Sequence, residues 1–557
     1  MSKPCRTRLL PGLLVTFVLP LWAVPLWTTL AQESDGKGGN DGSKVEDSKV
    51  QATKYTPSSP SRSAADTPAS PSTSTLDASD DLYQKIRKFY DSLPTDLGSI
   101  KGEEADRLAM ETERAVVNCA RFEVTSSNEK TEPAPAAPAA RSARLAEVNF
   151  LHAKLLYLLS ERQRYKWMLE LKEKGVQNIG AQVVDLTKGY MGEVRRLAKA
   201  AYESLPKESP FHVRSLQLLG QASADGQEPQ KAREAYEKLI ESEPKYEEID
   251  KIRLALARAC LDMEDFSRGI DVVNQGLKEH YKSDQYPFFV EVLWKLYHTK
   301  GDLEGMESVT QMVDTSYPLK LSNTSLTRTE RENYERFLGF NGFRKGYTLF
   351  AKGDLAGARG AFSRHIEELD ASETALAKNG QQLKPELKIF RQRSQDNLTF
   401  LEKLAGLPPT LDFDLDGAWG TRKKVTLAEA KGKVVAVVFR GIGDERSSSF
   451  LGPVSQFCYR QPDMEMVVVS YQRSGENIEK QLDSLREELS KLGYEGAAGY
   501  DPDADGRKLF HAYQANVGSA TFLVVNRRGE LVWFMQDPRG VDVRFGEAIL
   551  KLWSMKS

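Results

Sequence analysis

The chain has 557 residues, of which 28% are charged and 40% hydrophobic, and its formal net charge at pH 7 is −2. This length predicts more than one domain, and the hydrophobic content is too low for a protein with many membrane-spanning helices. The near balance of charges gives no electrostatic reason to expect a nucleic-acid partner. Four cysteines are too few for a disulfide scaffold.

The N-terminal segment 1–31 has the pattern of a secretory signal peptide. Three basic residues and no acidic residue precede a long apolar run, and the small residues at its end favour cleavage after Ala31. The alternative is an uncleaved membrane anchor, because the apolar run 9–27 is nearly long enough to span a bilayer. We therefore expect an exported protein, periplasmic or extracytoplasmic, that is tethered to the membrane only if the signal is uncleaved.

Two segments after the signal are too polar or too rich in proline to bury a core. Residues 32–80 are rich in Ser, Thr, Asp and Pro, which predicts a disordered tether. Residues 129–143 form an Ala/Pro linker, EKTEPAPAAPAARSA. Between them, residues 81–128 have the composition of a helical segment.

Residues 144–405 show helical periodicity almost throughout, with apolar residues recurring at three- and four-residue intervals. An irregular repeat is visible, in which an apolar helix, a short turn with Gly or Asp and a second helix follow one another. Its four copies are residues 218–244, 254–277, 293–313 and 346–366. The tetrapeptide Lys-Gly-Asp-Leu occurs in two of them, at 300–303 and 352–355.

This layout resembles degenerate tetratricopeptide (TPR) repeats, which stack helical hairpins into a solenoid. The resemblance implies a concave face that binds a protein or peptide, so we expect an exported protein or peptide as partner. An ordinary helical bundle with chance similarities between its hairpins is the alternative.

From residue 408 onward the helical period gives way to short apolar strands. The pattern predicts strands at 434–439 and 464–470, a β-hairpin within 521–534, and helices between and after them. A short alternating strand is also expected at 411–417. The order describes a mixed sheet covered by helices, so the predicted fold class is a multidomain chain: an all-α helical-hairpin solenoid followed by an α/β domain over 408–557.

Two stretches of this C-terminal region resemble thioredoxin-like proteins of the TlpA and peroxiredoxin (redoxin) type. KGKVVAVVFR is similar to the strand that precedes their active site, and residues 512–532 are similar to their stretch AYxVxGxPTTFLIDxxGxIV. The resemblance implies a thioredoxin-like fold over about a quarter of the chain.

The residues that carry redox chemistry in that family are replaced here. By alignment with the family, the two CxxC positions fall on Asp444 and Ser447, a peroxidatic position falls near Ser448, and the cis-proline position falls on Ser519. Neither Asp nor Ser can act as a thiolate nucleophile or resolve a mixed disulfide. The resemblance therefore implies a domain without its dithiol, in which Asp444 serves as the N-cap of the following helix.

Cys458 is the only thiol within 408–557. Beside Phe457 and Tyr459, it is interpreted as a small packed hydrophobic residue. The alternative is a thiol-disulfide oxidoreductase or peroxidase that uses Cys458 together with Cys260 or Cys119. No motif for a cofactor or a metal ion is found, so we expect neither, and the favoured function is that of an exported scaffold or protein-binding protein.

Overall fold

The computed structural model contains sixteen α-helices and five β-strands in the part of the chain that it describes. The described residues are 75–94, 102–128, 138–174, 179–406, 432–441, 444–470, 478–494, 496–500 and 520–556. The chain divides into two compact units, Met1–Met263 and Glu264–Ser557. The predicted signal 1–31, the strand expected at 411–417 and Ser519 lie outside the described residues.

The first unit is entirely helical where it is described, and consecutive helices pack against each other. Its helices are α1 (Thr75–Asp91), α2 (Gly102–Asn128), α3 (Pro138–Glu173), α4 (Ile179–Ser204), α5 (Pro210–Asp225), α6 (Pro229–Ser242) and α7 (Ile249–Asp262).

Two of these helices begin inside segments that the composition predicts to be without structure. Helix α1 begins at Thr75, within the predicted tether 32–80, and α3 begins at Pro138, within the predicted linker 129–143. Within α1, Asp81 forms an i,i+4 ion pair with Lys85, which supports a helix in this polar stretch. The start of α3 is rich in alanine, which has the highest helix propensity. Local composition therefore did not predict where either helix begins.

The second unit begins with helices that continue the hairpin pattern. They are α8 (Phe266–Glu279), α9 (Tyr286–Lys300), α10 (Leu303–Leu321), α11 (Arg328–Ala351), α12 (Leu355–Lys378) and α13 (Pro385–Lys403). Each of the four segments identified as a repeat contains one helix, a short turn and a second helix, so the helical-hairpin prediction is confirmed. A glycine allows close approach within the hairpin α11–α12, since a Cβ on Gly346 would lie 2.6 Å from the Phe362 ring.

The turns of the four hairpins share one backbone conformation. In each, a residue with positive φ precedes the N-cap of the second helix: Gln227 (57°), Glu264 (56°), Gly301 (76°) and Gly353 (75°). In the last three turns the next residue is an aspartate whose side chain accepts a backbone N–H in the first turn of the helix. The Lys-Gly-Asp-Leu tetrapeptide is thus a left-handed residue followed by an N-cap.

The rest of the second unit is a five-stranded mixed sheet with helices, here called the α/β domain. Its elements are β1 (Val434–Arg440), α14 (Glu445–Tyr459), β2 (Met464–Ser470), α15 (Ile478–Lys491), β3 (Ala497–Tyr500), β4 (Thr521–Val525), β5 (Leu531–Gln536), a 3₁₀ turn (Gly540–Asp542) and α16 (Val543–Met555). The strand order is β3-β2-β1-β4-β5.

The register of the sheet places the most apolar strand at its centre. Strand β1 pairs in parallel with β2 and antiparallel with β4, so that Val437 lies between Val467 and Leu523. All seven residues of β1 are buried. The edge strand β3 was not predicted, because its sequence Ala-Ala-Gly-Tyr has little of the β-branched character that marks a strand.

The α/β domain and the helices of the second unit share one hydrophobic core. Trp533 of β5 lies 4.3 Å from Phe350 and 5.2 Å from Tyr347 of α11, measured between ring centroids. Phe534 stacks on Phe400 of α13 at 5.2 Å. These aromatic contacts bury large side chains from both sides, so the sheet completes the core of the helices beside it.

A mostly buried titratable pair lies where α16 meets α9. His298 is stacked between Trp294 and Phe545, at ring distances of 5.0 and 4.3 Å, and its Nδ1 lies 4.0 Å from Oδ1 of Asp542. Burial, with a smaller effect of the Arg344 guanidinium, lowers the pKa of His298 to about 4. Burial raises the pKa of Asp542 to about 6, although a backbone N–H of Arg539 opposes the change.

Candidate functional site

The candidate site lies where β1 ends and α14 begins. Strand β1 ends at Arg440 and α14 begins at Glu445, so Asp444 occupies the residue before the helix, and Ser447 lies in its first turn. Ser447 is buried, with 1% of its surface exposed, and its hydroxyl donates to the carbonyl oxygen of Asp444 at 3.3 Å. The structure therefore brings the two positions that align with the CxxC motif together at a helix N-terminus.

Arg440 is the charged group at the centre of this site. Its side chain is fully buried, and Nη2 donates to the carbonyl oxygen of Asp444 at 2.8 Å and to the hydroxyl of Ser448 at 3.4 Å. The same nitrogen forms an ion pair with Glu488 of α15. The Ser448 hydroxyl in turn donates to Oε1 of Glu488 at 3.4 Å. This network fixes the start of α14 against β1 and α15.

Sequence reasoning missed Arg440 and Glu488. The signal that could have identified Arg440 is its position at the end of a strand that is otherwise apolar, VVAVVFR. A charge in such a run is buried unless the strand ends before it, and a buried charge requires a partner. No local pattern identifies Glu488 as that partner, since the two residues are 48 positions apart.

Cys458 lies at the opposite end of α14 from the aligned positions. Fourteen residues separate it from Asp444, which corresponds to about 21 Å along a helix axis. Its side chain is fully buried in the shared core. Burial, together with the nearby carboxylate of Glu547, raises the pKa of the Cys458 thiol to about 12. The thiol is therefore protonated at neutral pH and has no exposed path to a substrate.

The two described cysteines of the first unit are also buried. Burial raises the pKa of Cys119, with a further effect of the Glu123 carboxylate. Cys260 lies in α7 and is fully buried. Among the described residues, the cysteines thus have the character of small core residues.

The arrangement at the start of α14 offers hydroxyl groups, one buried ion pair and a helix N-terminus. None of these described groups is a redox-active thiol, and the serine hydroxyls donate to a carbonyl and a carboxylate rather than to a histidine base. Ser519, the third aligned position, lies outside the described residues. The described part of the site can hold its helix in place but lacks a nucleophile.

Comparison with known proteins gives matches of two kinds. No protein-family model matches the chain, and no curated protein does. A secreted disulfide oxidoreductase from Mycobacterium tuberculosis, described as homologous to E. coli DsbE, is 15% identical, with a TM-score of 0.19, over 22% of this chain and 86% of that one. A putative thiol:disulfide interchange protein DsbE from Chlorobium tepidum is 19% identical, with a TM-score of 0.19, over 27% and 97%.

The second kind of match is to helical repeats. The TPR-like repeats of a putative kinesin light chain from Podosopora anserina are 11% identical, with a TM-score of 0.27, over 44% of this chain and 97% of that one. The two kinds of similar structure correspond to the two families that the sequence resembles, thioredoxin-like and TPR-like proteins. Similarities of this size assign no activity or partner to this chain.

Among the helices that the structure describes, none combines the length and the apolar character needed to cross a membrane.

Proposed function

We propose that this chain is an exported, non-catalytic protein-binding protein whose thioredoxin-like domain is redox-inactive. The observation that carries the proposal is the position of its thiol. Cys458 is fully buried at the far end of α14, whereas Asp444 and Ser447 occupy the helix start where the family places its cysteines. A thiol with a pKa of about 12 is a poor nucleophile at neutral pH.

The packing of the α/β domain supports a structural role for it. Trp533 of β5 packs against Phe350 of α11, and Phe534 of β5 packs against Phe400 of α13. In addition, the backbone N–H of Gly406, just after α13, donates to the carbonyl oxygen of Leu531 at 2.8 Å. A domain that completes the core of its neighbouring helices stabilises them whether or not it catalyses a reaction.

Assays of insulin-disulfide and peroxide reduction test the absence of redox activity. The wild-type chain and Cys458→Ser are expected to show the same background rate. The double substitution Asp444→Cys with Ser447→Cys is the matched control, because it restores two thiols at the helix start. Turnover in the wild type that is abolished by Cys458→Ser would contradict the proposal and favour the oxidoreductase alternative.

Export rests on the pattern of residues 1–31 and is tested separately. Fractionation of cells that express the full chain is expected to place it outside the cytoplasm, and a chain that lacks 1–31 is expected to remain inside. Recovery of both chains in the cytoplasm would contradict export.

A further inference from the structure

Helix α2 of the first unit carries large apolar residues on its solvent-exposed side. Met110, Val117 and Val124 are 54%, 49% and 55% exposed. They are seven residues apart, so they follow one another along one side of the helix over about 21 Å. Exposed apolar residues are normally scattered singly, whereas a row of them marks an interaction surface.

The row lies on the opposite side of α2 from the core of the first unit. The buried side of α2 packs against α1 and α3 and contributes four apolar residues to their shared core. These residues are Ala115, Val116, Cys119 and Phe122. Because they lie about half a turn away from Val117, the exposed row is not the face that attaches α2 to its own unit.

Two exposed residues of opposite charge flank the row at equal distances from its centre. Glu113 lies four residues before Val117, and Arg121 lies four residues after it. Both side chains are exposed. Residues four apart share one side of a helix, so both charges border the apolar row. The α2 stripe is defined by these two residues and the row: Met110, Glu113, Val117, Arg121 and Val124.

The α2 stripe is complementary to itself in the antiparallel orientation. When two copies pack about a two-fold axis at Val117, this residue faces its own counterpart, and Met110 faces Val124 of the second copy. The same axis brings Glu113 opposite Arg121 of the second copy, and it does so twice because the interface is symmetric. A parallel arrangement would instead place each charge opposite a like charge, which is unfavourable. The charge pattern therefore selects the antiparallel pair.

We propose that the α2 stripe binds a second copy of this chain through antiparallel pairing of two α2 helices. Burial of the apolar row in both copies supplies the attraction, and the symmetric ion pairs set the register. One pair of helices buries less area than a standard interface, so the dimer is weak, with a Kd of roughly 1–100 μM. This inference goes beyond the proposed protein-binding function and does not depend on it.

Sedimentation of the full chain over a range of concentrations tests the dimer. We expect a monomer at about 0.5 μM and a growing fraction of dimer towards about 200 μM. Val117→Lys should raise the Kd at least tenfold, because it places two like charges at the centre of the contact. A chain that is monomeric at every concentration would overturn the proposal and assign the stripe to a different protein.

A second exposed apolar residue provides the matched control. Leu319 of α10 is 74% exposed, and Leu319→Lys should leave the Kd unchanged. Both substitutions replace exposed side chains, so thermal unfolding should be the same as in the wild type. A dimer that persists in Val117→Lys, or that is weakened equally by Leu319→Lys, would overturn the assigned surface.

A charge swap tests the antiparallel register. Glu113→Arg alone and Arg121→Glu alone each place like charges opposite one another at two symmetric positions, and each should raise the Kd about tenfold. The two substitutions together restore opposite charges and should return the Kd to within about threefold of the wild-type value. Single variants without effect, or a double variant that is as weak as the single ones, would overturn the register.

Engineered cysteines test the position of the two-fold axis. Under mild oxidation Val117→Cys should form a disulfide-linked dimer, because a residue on the axis faces its own counterpart. Met110→Cys and Val124→Cys should form the disulfide efficiently only when the two variants are mixed. The wild type, whose described cysteines are buried, gives the background. Equal cross-linking of Met110→Cys with itself would overturn the position of the axis.

Discussion

Three hairpin turns share one backbone conformation but differ in the residue that adopts it. They connect α5 to α6, α9 to α10, and α11 to α12. Gln227 adopts the left-handed conformation in the first, whereas Gly301 and Gly353 adopt it in the other two. Because a glutamine is accommodated in this conformation, at a cost of roughly 1–2 kcal/mol, the conformation alone does not require glycine.

Glycine is required in the second unit because α16 lies against both turns. A Cβ on Gly301 would lie 2.7 Å from the carbonyl oxygen of Arg544, and one on Gly353 would lie 3.0 Å from the Trp553 ring. The identical Lys-Gly-Asp-Leu tetrapeptides are therefore docking positions for the last helix as well as hairpin turns. Hairpins with the same local structure thus differ in what packs against them.

The largest expected effect comes from the residue that joins the sheet to the helices. Trp533→Ala should destabilise the second unit by about 3–5 kcal/mol, because it removes a buried ring that packs on Phe350 and Tyr347. Chemical denaturation measures the change. Tyr459→Ala, at a residue that is 40% exposed, is the control and should change stability by less than about 1 kcal/mol.

Native-state hydrogen exchange of Trp533→Ala shows how far the effect extends. Protection should fall in α11 and in β5 together, since the two share one core. Loss of protection in β5 with α11 unchanged would mean that the helices and the α/β domain fold as separate units.

The mostly buried pair at the contact between α9 and α16 predicts two opposite pH dependences of stability. His298 has a folded pKa of about 4 against an ordinary value of 6.5, so its contribution to the free energy of unfolding is lost as pH falls from 6.5 to 4. Asp542 has a folded pKa of about 6 against an ordinary value of 3.8, so its contribution to the free energy of unfolding is lost as pH rises from 3.8 to 6. The two contributions oppose each other in the wild type.

Single variants separate these contributions. Asp542→Asn should lose stability as pH falls through this window relative to wild type, and His298→Gln should lose stability as pH rises, each by up to about 3 kcal/mol. Unfolding free energies at pH 4, 5, 6 and 7 provide the measurement. Identical pH profiles in the wild type and both variants would show that neither group titrates differently on folding.

Substitutions at the left-handed turn positions should have a smaller and more local effect, and they compare the turns of the two units directly. Gly301→Ala should cost about 2 kcal/mol, since it adds a left-handed non-glycine residue and a contact with α16. Gln227→Gly, the matched control in the other turn, should leave stability unchanged or raise it by up to about 1 kcal/mol. Thermal unfolding distinguishes the two, and an unchanged Tm for Gly301→Ala would argue against the close packing of α16.

The smallest expected effect concerns the ion pair at the turn between α7 and α8. Glu264 pairs with Arg544 of α16 at 2.6 Å, and both side chains are about half exposed. Glu264→Gln should therefore cost less than about 1 kcal/mol, and the difference should vanish in high salt. A larger cost that persists in high salt would mean that the pair is held away from solvent.

Local patterns predicted the elements that depend on neighbours in sequence. The strands β1 and β2 were predicted within a residue of their observed bounds because buried strands read as short apolar runs. The turns at Gly301 and Gly353 were recognised because a glycine followed by an aspartate is typical of a helix end followed by a new helix start. Helix starts at Thr75 and Pro138 were missed, since polar and alanine-rich stretches carry no apolar periodicity.

The candidate site was predicted in part for the same reason. Alignment with a family placed Asp444 and Ser447 at a helix start, and the structure places them there. The partnership of Arg440 with Glu488 was missed because it joins a strand to a helix 48 residues later.

The sequence by itself determined the alternation of helical hairpins, the left-handed turns that precede an N-cap, the apolar strands and the replacement of the aligned cysteines. These features depend on residue type and on spacing over a few positions. Only the tertiary structure decided that Arg440 pairs with Glu488, that α16 rests on two of the turns, and that one core unites the sheet with α11 and α13. Such contacts join residues far apart in the chain, and burial follows from the whole packing arrangement rather than from any local pattern.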